Sequence, residues 1–129
     1  MRRMKKLAPS DVFEDERGTI QDLLLFDPRP DGVTVIHTKT GAVRGNHWHA
    51  KTTQWTYLIS GRLRVKVQNR FDDPGSEGVL EAGELMVSPP NEAHAWQAIE
   101  DSVCMVFTAG PRTGADYEQD TFRLKVPLI

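Results

Sequence analysis

Gly41-Ala42-Val43-Arg44-Gly45-Asn46-His47-Trp48-His49 holds two of the four histidines in the chain, separated by one residue. In an extended strand, side chains two positions apart leave the backbone on the same face, roughly 6.5–7 Å apart along it. The two imidazoles can therefore converge on one ion or one substrate. A third, His94, lies 45 residues beyond His49 in Pro89-Pro90-Asn91-Glu92-Ala93-His94, and another strand of a closed sheet can return it to the same place. That convergence requires a sheet built from the rest of the chain.

Outward from this stretch, short β-type runs recur, broken by Gly, Pro, Asn and Asp at the spacing of an all-β sandwich or barrel. Residues 19–25 and 33–38 flank the breaker Asp27-Pro28-Arg29-Pro30-Asp31-Gly32. Residues 53–60 and 62–69 flank Gly61, which reads as a tight hairpin turn. In the second of these runs Leu63, Val65 and Val67 alternate with Arg62, Arg64 and Lys66, so the basic residues are expected in water. In the first, Gln54, Thr56 and Leu58 share one face, and Trp55, Tyr57 and Ile59 form another that is too apolar for a small monomer to leave wet. A second sheet or a second subunit must cover it, and a homodimer is expected. Beyond the polar loop 70–78 come runs 84–88, 93–99 and 102–108; the last is apolar on both faces and should be central. Residues 111–129 are irregular, with 116–122 forming a short helix or covering one end of a barrel whose core spans about 13–110.

With 129 residues, 39% apolar and 26% charged, and a formal charge of −2, the composition is that of one ordinary soluble domain with no nucleic-acid partner. The basic start Met1-Arg2-Arg3-Met4-Lys5-Lys6 has no apolar h-region behind it, and no run reaches membrane-span length. Cys104 is the sole cysteine. It excludes an internal disulfide, fits a cytoplasmic location and is expected as a small buried residue.

Gly41-x5-His47-x-His49-x4-Gln54-x6-Gly61 and Gly83-x5-Pro89-x-Asn91-x2-His94-x3-Ala98 resemble the two motifs of the cupin superfamily, G-x5-H-x-H-x3–4-E-x6-G and G-x5-P-x-G-x2-H-x3-N. The resemblance implies a cupin-type double-stranded β-helix, a jelly-roll barrel forming a single domain over residues 1–129, with its site inside one mouth. Gln54 stands where the superfamily has a metal-binding Glu, Asn91 where it has Gly, and Ala98 where it has Asn. Asn tolerates the left-handed backbone a turn glycine supplies. A neutral amide at 54 leaves a divalent ion's charge uncompensated and should weaken metal binding.

Arg44-Gly45-Asn46-His47-Trp48-His49 with Gln54, and Asp15-Glu16-Arg17-Gly18-Thr19-Ile20 near the start, are similar to the cupins that act on nucleotide-linked 4-keto-6-deoxy sugars, the 3,4-ketoisomerases and 3-epimerases. That resemblance implies proton transfer next to a ketone through an enediolate, with His47 and His49 as base and acid and Gln54 as donor to the oxyanion. Its ketoisomerase branch has the Gln and works without metal; epimerases with the same histidine stretch keep the Glu and hold zinc. Should a divalent ion (Zn, Fe, Ni or Mn) be present, His47, His49, Gln54 and His94 are the ligand set. Arg17, Arg44 and Lys51 are the cations nearest the motifs for a diphosphate, and Trp48 and Trp96 offer stacking faces. A metal-dependent dioxygenase or small-molecule isomerase, and a non-catalytic sugar-binding cupin, are the rival readings. His37 is expected to be structural or to line the pocket, and Tyr117 to close the mouth or pin the tail.

Overall fold

The structure is a computed structural model describing residues 4–7, 12–23, 27–71, 74–112 and 114–129. Its elements are β1 (Lys6–Leu7), β2 (Val12–Asp15), β3 (Gly18–Gln21), β4 (Gly32–Thr38), β5 (Val43–Trp48), β6 (Thr53–Asn69), β7 (Ser76–Glu81), β8 (Leu85–Ser88), β9 (Glu92–Ala109), α1 (Gly114–Gln119) and β10 (Phe122–Arg123). The all-β jelly-roll expectation is met. β2 and β3 form a separate hairpin, so only the start of the run expected at 19–25 is strand, and Leu24 and Leu25 fall outside the described residues. β7 occupies part of the segment expected as the polar loop 70–78, of which Asp72 and Asp73 also fall outside the described residues.

β6 and β9 pair antiparallel from Thr53↔Ala109 to Asn69↔Glu92. At one end they are extended by β8 and β1 on one side and β4 on the other; at the opposite end, by β7 on one side and β5 with β10 on the other. Two antiparallel layers thus share the same two long strands. Their inner faces alternate as the sequence pattern requires, and Leu58, Leu63, Val65, Leu80, Met86 and Val106 close the core between them. Cys104 is buried there, and burial pushes its thiol up to about 11.

Gly61 is not a hairpin turn. β6 runs through it without a break, and β9 likewise runs through the gap expected between residues 99 and 102. Gly61 has a left-handed φ of +94° and sits among register shifts between Leu58 and Leu63. It is the bulged corner at which β6 leaves one layer and enters the other. Ser102 fastens this corner: its hydroxyl accepts from Arg62 N–H at 3.1 Å and donates to the Glu100 carbonyl at 2.8 Å. A turn and a bulge both call for glycine at positive φ, so the local pattern fits either.

Outside the first layer a second apolar cluster forms from Trp55, Leu85, Val87 and Ala109, with Tyr57 and Phe107 packed against it. Val33 and Val35 on β4 remain 58% and 55% exposed. Arg62 and Arg64 lie on the wet face of β6 as expected, paired with Glu81 and Glu77. No helix among the described residues is long and apolar enough to cross a membrane.

Gly61→Ala would force a Cβ against the Ser102 hydroxyl and the Asp101 carbonyl in a left-handed backbone. A loss of about 1–3 kcal/mol is expected, read as a lower urea midpoint with little change in slope.

Candidate functional site

β5 reaches β9 through a bulge. Gly45 pairs with Ala95 and His47 with His94, and the intervening Asn46 takes a left-handed φ of 59°. A side chain at Gly45 would meet the His94 carbonyl oxygen at 2.6 Å, so the strands approach this closely only because glycine is there. Asn46 is fixed by the C-terminal segment: its Oδ1 accepts from Leu128 N–H at 2.8 Å, and its carbonyl from Leu124 N–H at 2.9 Å. Bulges re-aim side chains. Here the His47 ring stands beside His94, with centroids 4.8 Å apart.

His49, two residues on, completes the cluster at 4.8 Å from His47 and 5.6 Å from His94. His49 and His94 are both 3% exposed. His49 Nδ1 lies 2.9 Å from the Asp120 carbonyl, and His94 Nδ1 lies 3.3 Å from the Glu92 carbonyl. A carbonyl only accepts, so each ring carries its proton on Nδ1 and presents an Nε2 lone pair. Nε2 of His94 is buried without a hydrogen-bond partner among the described residues.

Burial, followed by the neighbouring His49, pushes His47 down to about 4. Burial, followed by His47 and His49, pushes His94 down to about 3. His49 is lowered by burial against the opposing pull of its Asp120 hydrogen bond. All three imidazoles are neutral at pH 7.

The residues fit a divalent ion. One ligand nitrogen from each histidine lies within 4.8 Å of the others. Zn–N bonds of about 2.1 Å need them somewhat closer, so binding an ion would draw the three rings together. Backbone acceptors on the far ring nitrogen are what metal-binding histidines use to fix their tautomer. Gln54 adds a neutral amide and no charge.

His47, His94 and Gln54 open onto a cavity of about 240 Å³. Arg44, Arg112 and Tyr117 also line it, and Ile36, Trp96 and Val106 form its apolar wall. Arg44 Nε donates to Thr38 Oγ1 at 3.1 Å and Arg112 Nε to Thr34 Oγ1 at 3.2 Å, so two threonines of β4 hold the two guanidiniums. Tyr117 on α1 lines the cavity: its ring is 5.7 Å from His49 and lies under the Arg112 guanidinium at 4.8 Å.

Of the residues expected at the site, His47, His94, Gln54, Arg44 and Trp96 line this cavity, and His49 stands behind them. Trp48 does not line it. Its ring is stacked on Phe122 at 4.2 Å and engaged by Arg70 at 4.1 Å. Lys51 lies in a separate surface depression with Asp116 and Asp120. Arg17 is on the β2–β3 hairpin, paired with Asp15 at 2.6 Å. The His37 side chain faces solvent while its carbonyl holds Arg44 at 2.9 Å. Arg112 and Asp120 were not expected; both lie in the tail, where no periodicity marks an element.

The imidazoles bind protons more weakly in the fold than in the unfolded chain. Their stability contribution is therefore present above about pH 6.5 and is lost as pH falls toward 4 and 3. Urea midpoints measured from pH 7.5 to 4 should fall, and the fall should be shallower in His94→Gln.

A cupin family model matches residues 31–123, from the eve of β4 to the end of β10. Over 93 residues the chain is 34% identical to oxalate decarboxylase OxdC of Bacillus subtilis (strain 168), covering 69% of this chain and 22% of that protein. The chain thus spans about a fifth of that relative's length. Among solved structures, a 3,4-ketoisomerase from Helicobacter canadensis superposes with a TM-score of 0.76 at 16% identity, covering 88% of this chain and 85% of that one. dTDP-4-dehydrorhamnose 3,5-epimerase from Sulfolobus tokodaii gives 0.69 at 21% identity, covering 80% and 68%. At these identities the structural likeness is one of fold, but the family model takes in both layers and all three clustered histidines: the chain belongs to the cupin family.

Proposed function

We propose that this cupin is an isomerase or epimerase of a nucleotide-linked 4-keto-6-deoxy sugar, moving a proton next to the ketone through an enediolate. The observation that carries the reading is a neutral His47 opening onto a cavity that it shares with the donors Gln54 and Tyr117 and the cations Arg44 and Arg112. His47 takes the proton from the carbon beside the ketone and, as imidazolium, returns it. His49 stands behind it as the second member of the pair. Gln54 donates to the developing oxyanion, and the guanidiniums of Arg44 and Arg112 favour the same negative charge. The cavity takes a sugar ring against Trp96; the nucleotide extends past Tyr117 toward Lys51, which lies beside α1. The apolar outer face around Val33, Val35 and Ile59 is covered by a second copy of the chain, making the working unit a homodimer. The fold-level likeness to the ketoisomerase and the epimerase supports this choice of substrate class.

Incubating the protein with nucleotide-linked 4-keto-6-deoxy sugars in D₂O and following the proton beside the ketone by NMR tests the reading directly. Exchange is expected, falling at least about 100-fold in His47→Ala and surviving a chelator. Absence of exchange with every such sugar overturns it, and binding without exchange would mark a ligand-binding cupin instead.

A second reading is favoured by the buried Nε2 of His94, which has no hydrogen-bond partner among the described residues. His47, His49 and His94 would hold a Zn, Fe, Ni or Mn ion beside Gln54, and such an ion supplies Lewis-acid stabilisation to a developing oxyanion. Elemental analysis of protein purified without a metal-binding tag decides it. Near-stoichiometric metal in the wild type, lost in His94→Ala, is the expected signature; no metal after incubation with each of the four ions ends this reading.

A further inference from the structure

We propose that Asp120 is a positioning residue for the histidine cluster: its buried carboxylate clamps the turn after His49, and its carbonyl holds the His49 ring in one tautomer. The inference rests on His49 belonging to the functional site, and on neither of the two chemistries proposed for it.

Asp120 is 4% exposed. A buried carboxylate is costly unless hydrogen-bond donors or a cation satisfy it. No ion pair to Asp120 forms among the described residues; the donors are those of one turn. Oδ1 accepts from Ala50 N–H at 3.1 Å and Lys51 N–H at 3.0 Å, and Oδ2 accepts from the Thr52 hydroxyl at 2.7 Å. With His49 itself, those three residues make up the whole connection between β5 and β6, and Thr52 is 3% exposed. The other side of the clamp is equally tied. Asp120 N–H donates to the Tyr117 carbonyl at 3.1 Å, and the Thr121 hydroxyl donates to the same carbonyl at 2.7 Å.

Asp120 thus joins α1, the β5–β6 connection and the His49 ring. With the carboxylate seated, its carbonyl lies 2.9 Å from His49 Nδ1 and can only accept. The proton is held on Nδ1, and the Nε2 lone pair is turned to the cluster. An oxygen one residue past the end of a short helix could be satisfied by water; one this deeply buried is held by the protein. The same contact places α1, and with it Tyr117, against His49 at 5.7 Å. The tautomer of His49 and the position of Tyr117 are set by one side chain.

The test reads the ring and needs neither substrate nor metal. Long-range ¹H–¹⁵N spectra of histidine-labelled full-length protein at pH 7 distinguish Nδ1–H from Nε2–H, with urea midpoints recorded alongside. Wild type should show His49 as Nδ1–H, with the alternative tautomer below about a tenth. Asp120→Ala should raise the alternative severalfold while His94, held by the Glu92 carbonyl, stays unchanged. Asp120→Asn should restore the wild-type pattern, because an amide can accept from Ala50 and Lys51 and donate to Thr52. A folded Asp120→Ala whose His49 stays wholly Nδ1–H, or a wild type with Nε2–H, overturns the proposal. Should Asp120→Ala not fold, Thr52→Val decides: a rise in the alternative tautomer supports the clamp, and an unchanged ring overturns it. A missing proton-exchange activity or a missing metal leaves these spectra unaffected, so failure here is distinguishable from failure of the function proposed above.

Discussion

One antiparallel ladder, between strands of 17 and 18 residues, carries this fold. β6 and β9 stay paired through both layers, and every other strand of the main sheet is attached directly or through one neighbour to that pair. The register has a direct chemical consequence, because His94 sits opposite Val67 on β6 and opposite His47 on β5. Side chains alternate with a period of two, so a slip of one residue would turn His94 outward and dissolve the cluster. The Gly61 corner, with Ser102 bonded across it, is where such a slip is prevented while the strand changes layers. The placement of His47 and His94 is inherited from backbone pairing, and only His49 is set by a connection between strands.

The electrostatics follow from the same enclosure. Three imidazoles packed ring to ring lose water, and a positive charge on one raises the cost of a charge on the next. Arg112 and Arg123 push His47 in the same direction. The neutral state that results is required of a proton acceptor and of a metal ligand alike. One arrangement of side chains is therefore suited to two chemistries on a barrel that hosts many.

Much of this was legible in the chain. The period-two alternation of Leu63, Val65 and Val67 marked a strand with a wet face, and the i, i+2 spacing of His47 and His49 marked a shared one. The apolar run 102–108 was rightly placed at the centre, since β9 pairs with β4, β5 and β6. What escaped has physical reasons. Gly61 satisfies a hairpin and a bulge equally, because both need positive φ. Arg112 and Asp120 reach the site through tertiary contacts alone, and a segment with one six-residue helix and a two-residue strand leaves no periodic trace. Trp48 and Lys51 were expected by nearness in sequence to His47 and His49. Alternation explains Trp48, since a residue between two inward-facing histidines points out of the barrel.

Gln54 lies apart from this ladder logic. It sits on β6 opposite Ser88 and Thr108, and the backbone there is already paired on both sides. The contacts that aim the three imidazoles come from β5, β9 and the tail, so the charge at position 54 is separable from the geometry around it. Glutamine and glutamate have nearly the same shape, and their codons differ by one base. A lineage carrying this barrel can therefore switch the formal charge of its site in a single mutational step, without touching the contacts that aim the three imidazoles.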